Sequence, residues 1–268
     1  MKSNSRRYDQ FYTKKEVAKK CMISLKEELN IEEFILIEPS AGTGSFSNFF
    51  HKNSFSFDID PKAKGIIKQD FLKLDTDFLK DEKVITIGNP PFGIKSTLAV
   101  NFFNKASEYS DYIAYIIPKT FKKASIANRL DLNFILIKEE ELDKNSFLFE
   151  KENYSVPCVF QIWKKVPEKR IPIKIKTTSD VFEFTDKENA DFAIRRVGLL
   201  AGKIISDFNR YKKSSNYFIK VNICKNEFNK ILKSKFKELN KVANNCAGNP
   251  SLSKHELIEI CFKDKLIT

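Results

Sequence analysis

The chain has 268 residues, is 42% hydrophobic and 13% aromatic, holds 25 Phe against 8 Gly, and carries a formal net charge of +12. That composition supports a sizeable core and excludes a disordered or low-complexity polymer. Five scattered cysteines without a C-x-x-C, and only two histidines (His51 and His255), argue against a disulfide framework, a zinc site or a His-based triad, and for reduced thiols in a cytoplasmic protein without a metal. Residues 1–10 are polar and lack the apolar core of a signal peptide. No run of ~18 apolar residues marks a membrane span.

Thr13-Lys14-Lys15-Glu16 reads as a capping box that opens an amphipathic helix over about 14–29, with Val17, Cys21, Leu25 and Leu29 on one face. A short apolar strand, 34–38, follows. It runs into Pro39-Ser40-Ala41-Gly42-Thr43-Gly44 and then a predicted helix. Strands are predicted at 55–58, near 65–69, at 84–88 and at 112–117, the last stopped by Pro118. A helix is predicted at 96–107, a basic helix at 121–130, and two further strands at 134–138 and 156–163. Short apolar runs alternating with helices predict a parallel α/β sheet, whose sites form where the loops leave the carboxyl ends of the strands.

The run 164–176, with Pro167 and Pro172, reads as a linker, which divides the chain into 1–165 and 166–268. The second part holds 21 Lys+Arg against 12 Asp+Glu, a balance of +9, while the rest of the chain holds 26 against 23. Two helices are predicted in it, one over 225–242 and one opened by the capping box Ser253-Lys254-His255-Glu256. The region is therefore expected to be small, basic and mostly helical. Such a charge balance points to a polyanion partner, most simply nucleic acid, with Arg195, Arg196, Lys212 and Lys213 as backbone contacts. The alternative is a lysine-rich solvated face.

Chemistry is concentrated in four loops. Gly88-Asn89-Pro90-Pro91-Phe92-Gly93 directly follows the apolar run 84–87. Two prolines remove two backbone donors and fix φ, so the loop holds its acceptors rigidly outward. Asn89 offers a side-chain carbonyl, Pro90 a backbone carbonyl and Phe92 a flat face, a set suited to a planar ring bearing an exocyclic amino group. The bland reading is a diproline turn with a core phenylalanine. Glu38 to Gly44 joins a strand to a predicted helix, and its glycines permit close approach of a ligand, although it matches neither a dinucleotide fingerprint nor a P-loop. Asp58 closes the next strand, where an acid can accept from ribose hydroxyls, with Asp60 as its neighbour and runner-up. Asp70-Phe71 closes the third and could pair with and stack on an adenine. For each acid the ordinary alternative is a helix N-cap or turn.

Taken together, these motifs resemble S-adenosylmethionine-dependent amino-methyltransferases, most closely the adenine-N6 DNA methyltransferases of restriction–modification systems. The order is the same: Asp9-Gln10-Phe11-Tyr12-Thr13-Lys14-Lys15-Glu16-Val17-Ala18, then the Gly-rich loop, then Asn89-Pro90-Pro91-Phe92, then a C-terminal recognition region. The likeness covers about residues 8–164. It implies a Rossmann-like seven-stranded methyltransferase sheet with helices on both faces, and S-adenosyl-L-methionine as cofactor. By resemblance, Tyr12 and Thr13 would hold the methionine end, with Glu38, Ala41 and Gly42 lining the same site. Asp58 would take the ribose, and Asp70 with Phe71 the adenine. Asn89, Pro90, Pro91 and Phe92 would take the target base, and Phe149, or else Phe147, would stack on its other face. DNA would be the partner, with a cognate restriction endonuclease as a further one. The residues after 166 match no recognition domain of the family and are few for one.

Two acceptors on the amino group suffice to turn its lone pair toward a methyl donor, so catalysis would rest on positioning and not on a strong base. A base in duplex DNA would have to be flipped out of the stack. Three alternatives stay open. Ribosomal RNA adenine-N6 enzymes share the Asn-Pro-Pro-Phe loop, related loops methylate a glutamine amide in proteins, and the chain could be a nucleic-acid-binding module on an inactive methyltransferase fold.

Overall fold

The computed structural model describes residues 11–149 and 152–263. Asp9 and Gln10 of the N-terminal motif lie outside the described residues. The chain divides into two compact units, Met1–Ile173 and Lys174–Thr268, which are described separately.

The N-terminal unit opens with strand β1 (Tyr12–Thr13) and helix α1 (Lys15–Glu28), followed by β2 (Ile35–Glu38), β3 (Phe55–Asp58), β4 (Ile67–Lys68) and β5 (Val84–Gly88). Then come α2 (Thr97–Ser107), β6 (Tyr112–Pro118), a single helical turn α3 (Ala124–Ala127), β7 (Phe134–Glu141), β8 (Phe147–Phe149), β9 (Glu152–Tyr154) and β10 (Cys158–Lys165). Seven strands form one sheet in the order β4-β3-β2-β5-β6-β10-β7. Four neighbouring pairs are parallel, but β10 runs antiparallel to both β6 and β7. The sheet is the Rossmann-like seven-stranded α/β sheet expected, and its β10 runs antiparallel near one edge where the alternation of strands and helices alone reads as parallel. The reversal follows from the connection: β7 reaches β10 through the small three-stranded unit β1-β8-β9, without the helical crossover that parallel neighbours need.

Alternation along the central strands feeds two cores. Ile113, Tyr115 and Ile117 of β6 pack with Val100, Phe103 and Ala106 of α2. Ala114 and Ile116 face the other way and pack with Ala18, Cys21 and Leu25 of α1. A period-2 strand thus buries both faces, with one helix over each. Among the described residues no helix is long and apolar enough to cross a membrane.

Several expectations need correction. Thr13 does not cap α1: its backbone pairs with Phe147 in the β1–β8 bridge, and Lys14 becomes the N-cap without a side-chain bond. No α-helix follows the Gly42–Gly44 turn. Ser47–Phe49 form only a 3₁₀ turn, held by Glu38, because the Ser- and Asn-rich segment satisfies its backbone through side chains instead. The basic helix expected over 121–130 shrinks to α3 behind a 3₁₀ turn at Lys119–Lys122.

The C-terminal unit is not mostly helical. It contains a four-stranded antiparallel sheet, formed by β11 (Phe182–Thr185), β12 (Phe192–Arg195), β13 (Ile204–Ile205) and β14 (Asn216–Val221), in the order β11-β14-β12-β13. Its strands are only two to six residues long, so their alternation is faint in the sequence. The two expected helices are present as α4 (Lys225–Ala243) and α5 (Lys254–Phe262). Ser253 and Glu256 make the reciprocal capping box that opens α5. Phe228, Leu232 and Leu239 of α4 pack with Leu257, Ile258 and Phe262 of α5 and with Phe182, Phe192 and Ile219 of the sheet.

Candidate active site

The chain leaves β2 for β3 and β4 on one side, then returns to place β5 on the other. The order of strands reverses there, and the loops beyond the carboxyl ends of β2 and β5 diverge. A cavity of about 320 Å³ opens at that point. It is lined by loops following β2, β3, β4 and β5 and by residues 11–13 of the N-terminal segment.

Tyr12, Thr13, Glu38, Ala41, Gly42, Asp58, Asp70 and Phe71 all line it, as do Asn89 and Pro91. Pro90 and Phe92 do not. Pro90 is buried, and Phe92 is 8% exposed within the core on the α1 side. Phe149 is half-buried, with its ring 5.6 Å from that of Phe11. Phe147 is fully buried in the core. Phe11 also lines the cavity; its ring lies 6.4 Å from Phe92 and stacks at 4.7 Å on Tyr154.

The cavity wall is tightly tied. Gly42 has φ +52°, and a Cβ there would meet the Tyr12 ring at 2.9 Å. The Gly42 amide donates to Asp58 Oδ2 at 2.7 Å, and the Asp60 amide donates to Asp58 Oδ1 at 2.7 Å. Asp60 itself pairs with Lys62. Ser45 Oγ donates to the Thr13 carbonyl at 2.6 Å, closing β1 onto the Gly-rich loop. Asp70 accepts from the Leu72 amide and pairs with Lys73, so its N-cap role is real alongside its place in the cavity. Phe71 is 2% exposed and packs against Phe102 at 5.1 Å.

Asn89 is the most constrained polar group. Its Nδ2 donates to the Phe11 carbonyl at 3.0 Å, and its own carbonyl accepts from Ser40 Oγ at 2.9 Å. The side-chain Oδ1 is buried and has no hydrogen-bond partner. Thr13 Oγ1 is likewise buried and unpartnered. Buried polar atoms are paired in the great majority of cases, so two such orphans on one cavity wall mark a place where ligand polar groups belong. Glu38 is 2% exposed, and burial pushes its carboxyl up to about 8 although the amide and hydroxyl of Ser47 donate to it. Burial and the nearby acids Asp58 and Asp60 also raise the Tyr12 phenol, against the opposing pull of Lys62.

Sequence reasoning missed Ser40, Ser45, Gln69, Leu98 and Phe102 as wall residues. Ser40 lies inside the Gly-rich motif and could have been found there. Leu98 and Phe102 are spaced i, i+4 on α2, a pattern that reads only as core. In the C-terminal unit, Arg196 and Lys213 line a second cavity. Arg195 Nε donates to the Val197 carbonyl, and Lys212 is exposed.

No protein-family model and no curated protein matches this chain. Among solved structures it is similar to a provisionally assigned RNA methyltransferase from Pyrococcus horikoshii, at 19% identity over 59% of this chain and 88% of that one, with a TM-score of 0.46. It is also similar to a provisionally assigned modification subunit of a type I restriction enzyme from Vibrio vulnificus (16% identity, 58% and 44% of the two chains, TM-score 0.42). A third is magnesium protoporphyrin IX methyltransferase from Synechocystis with bound SAH (11% identity, 56% and 83%, TM-score 0.39).

Two outcomes test the geometry of the wall. Gly42→Ala should lower unfolding free energy by about 1–3 kcal/mol, because alanine at a left-handed φ is strained and its methyl meets Tyr12. Urea denaturation measures this, and unchanged stability would contradict the close approach. Asp58→Asn keeps an acceptor for the Gly42 amide but loses the charge. It should weaken binding of S-adenosylhomocysteine by about 1.5–3 kcal/mol in a calorimetric titration. An unchanged dissociation constant, with a loss in Asp60→Asn instead, would move the role to Asp60.

Proposed function

We propose that the N-terminal unit transfers a methyl group from S-adenosyl-L-methionine to the exocyclic N6 amino group of adenine in DNA. The observation that carries this reading is the Asn89 amide. With Nδ2 committed to Phe11, the buried Oδ1 is left as an unpartnered acceptor on a residue that lines the cavity.

The residues of the first cavity fit the cofactor. Gly42 lets the Tyr12 ring close directly onto the Gly-rich loop, Thr13 Oγ1 is buried without a partner, and the acids follow the strand ends in order. Tyr12, Thr13, Glu38, Ala41 and Gly42 would hold the methionine end, Asp58 the ribose, and Asp70 with Phe71 the adenine. When bound, the cofactor supplies an electrophilic methyl group.

The protein's contribution is position. Asn89 Oδ1 accepts one proton of the target amino group and the Pro90 carbonyl the other, which favours tetrahedral nitrogen with an available lone pair. Ser40 Oγ donates to the Asn89 backbone carbonyl, which ties the loop carrying both acceptors to the Gly-rich loop. Phe92 and Phe149 provide ring faces for the base. The ring packed beside them in this structure is Phe11, and a base stacking there takes its place. The +9 balance of residues 166–268 supports a nucleic-acid partner.

The deciding experiment is methyl transfer from tritiated S-adenosylmethionine to DNA, RNA and protein in parallel, with the product nucleoside identified. N6-methyladenine in DNA is expected. Label in RNA or on glutamine, or no transfer to any of the three, would overturn the reading.

A further inference from the structure

The second cavity, about 420 Å³, lies at one end of the β11-β14-β12 sheet in the C-terminal unit. Its cations are Arg196, Lys213 and Lys254. Lys213 is neutralised by Asp186 at 2.6 Å. Among the described residues, neither Arg196 nor Lys254 takes part in an ion pair. Both are held by aromatic rings instead. The Arg196 guanidinium sits 5.2 Å over the Tyr217 ring, and Lys254 Nζ sits 4.2 Å over Phe184. A ring positions a cation and shields one side of it without cancelling its charge. Tyr217 is itself anchored, its hydroxyl donating to the Leu252 carbonyl at 2.9 Å.

Two buried atoms in this wall have no partner, Arg196 Nε and Asn216 Oδ1. Asn216 is 1% exposed, and its Nδ2 donates to the Lys212 carbonyl, which fixes Oδ1 as the free end of the amide. The lining residues therefore offer two cations outside any direct ion pair, a buried donor and a buried acceptor. An anion alone would satisfy the cations and the donor but not the acceptor. A ligand that carries both a phosphate and a nearby O–H or N–H satisfies all four. The volume also exceeds what a bare phosphate fills and falls in the range of small-ligand pockets, roughly 300–1,000 Å³.

We propose that this cavity is a nucleotide-binding site, with the phosphate taken by Arg196 and Lys254 and a sugar hydroxyl or base amino group by Asn216 Oδ1. The site is independent of the methyl-transfer reading: it lies within the C-terminal unit and is tested by binding, not turnover. The same chemistry is presented by a free nucleotide and by a nucleotide within a strand.

The test uses the full chain at physiological ionic strength. Calorimetric titrations with cytidine 5′-monophosphate, inorganic phosphate and hexathymidylate are compared across wild type, Arg196→Gln and Lys254→Gln. Circular dichroism and the thermal midpoint serve as fold controls. Saturable one-to-one binding of cytidine monophosphate, tighter than phosphate, is expected, with each substitution weakening it by about tenfold. If hexathymidylate binding falls in parallel, the ligand's source is a strand; if only the mononucleotide binds, it is a free nucleotide. Either result upholds the site. It is overturned by absent binding, by phosphate binding as tightly as the mononucleotide, or by affinity unchanged in Lys254→Gln, whose half-buried position at the start of α5 makes it the safer variant for folding.

Discussion

Asn89→Ala is expected to reduce methyl transfer by at least a factor on the order of 10²–10³, the loss typical when one preorganised polar group is removed from a reacting centre. Binding of S-adenosylhomocysteine should change little, because the proposed contacts to the cofactor come from other loops. The substitution also removes the donor to the Phe11 carbonyl, so part of its effect acts through the N-terminal segment. Asn89→Asp separates the two roles. It keeps an acceptor where Oδ1 stands but cannot donate to Phe11, and should fall between wild type and Ala. Single-turnover assays beside calorimetry read both quantities. Near-wild-type turnover in purified Asn89→Ala would sink the proposed mechanism, whatever its cofactor affinity.

Glu38 should make stability fall as pH rises. Its folded carboxyl is pushed up to about 8 by burial, above the ordinary carboxylate value of 4.5. The folded state therefore holds this proton where the unfolded chain has already released it. The favourable contribution is complete below about pH 4.5 and is lost progressively up to about pH 8. Within that window the slope approaches about 1.4 kcal/mol per pH unit, a total of a few kcal/mol. Glu38→Gln retains an oxygen to accept from the Ser47 amide and hydroxyl but has no proton to lose. Denaturant midpoints between pH 5 and 8 should converge or cross, with the variant gaining on wild type as pH rises. Parallel curves for the two proteins would show that Glu38 does not carry the shifted titration.

Much of the candidate site was legible because its residues lie at loop positions dictated by strand punctuation. Strands β2, β3, β4 and β5 each end where an apolar run breaks, and the residues just beyond the breaks, Ala41, Asp58, Asp70 and Asn89, line one cavity. What the sequence hid were long-range pairings. Thr13-Lys14-Lys15-Glu16 has the local pattern of a capping box, and Ser253-Lys254-His255-Glu256 has it too. Only the second forms, because Thr13 is drawn into pairing with Phe147, a partner no local pattern reveals. Phe92 shows a similar limit: its place beside the diproline loop is legible, while its packing, 8% exposed with the Phe11 ring 6.4 Å away, is a long-range contact that no local pattern reveals. The C-terminal sheet escaped notice for a related reason. Its strands have two to six residues, too few for an apolar alternation to announce them, and β12 already ends at a charged residue, Arg195.

The pairing of Tyr12 and Thr13 with Leu148 and Phe147 also sets a schedule for assembly on the ribosome. At about 5–20 residues per second, roughly 7–27 s of synthesis separate the emergence of β1 from that of its partner β8. Until then residues 11–13 have no strand to join, Ser45 lacks its carbonyl acceptor on Thr13, and Asn89 lacks the Phe11 carbonyl. The strands beneath the cavity can form while its N-terminal wall is still loose. A nascent chain arrested before residue 147 would therefore carry the Gly-rich and diproline loops without a closed pocket, and residues 11–13 take their place only after much of the unit that follows them.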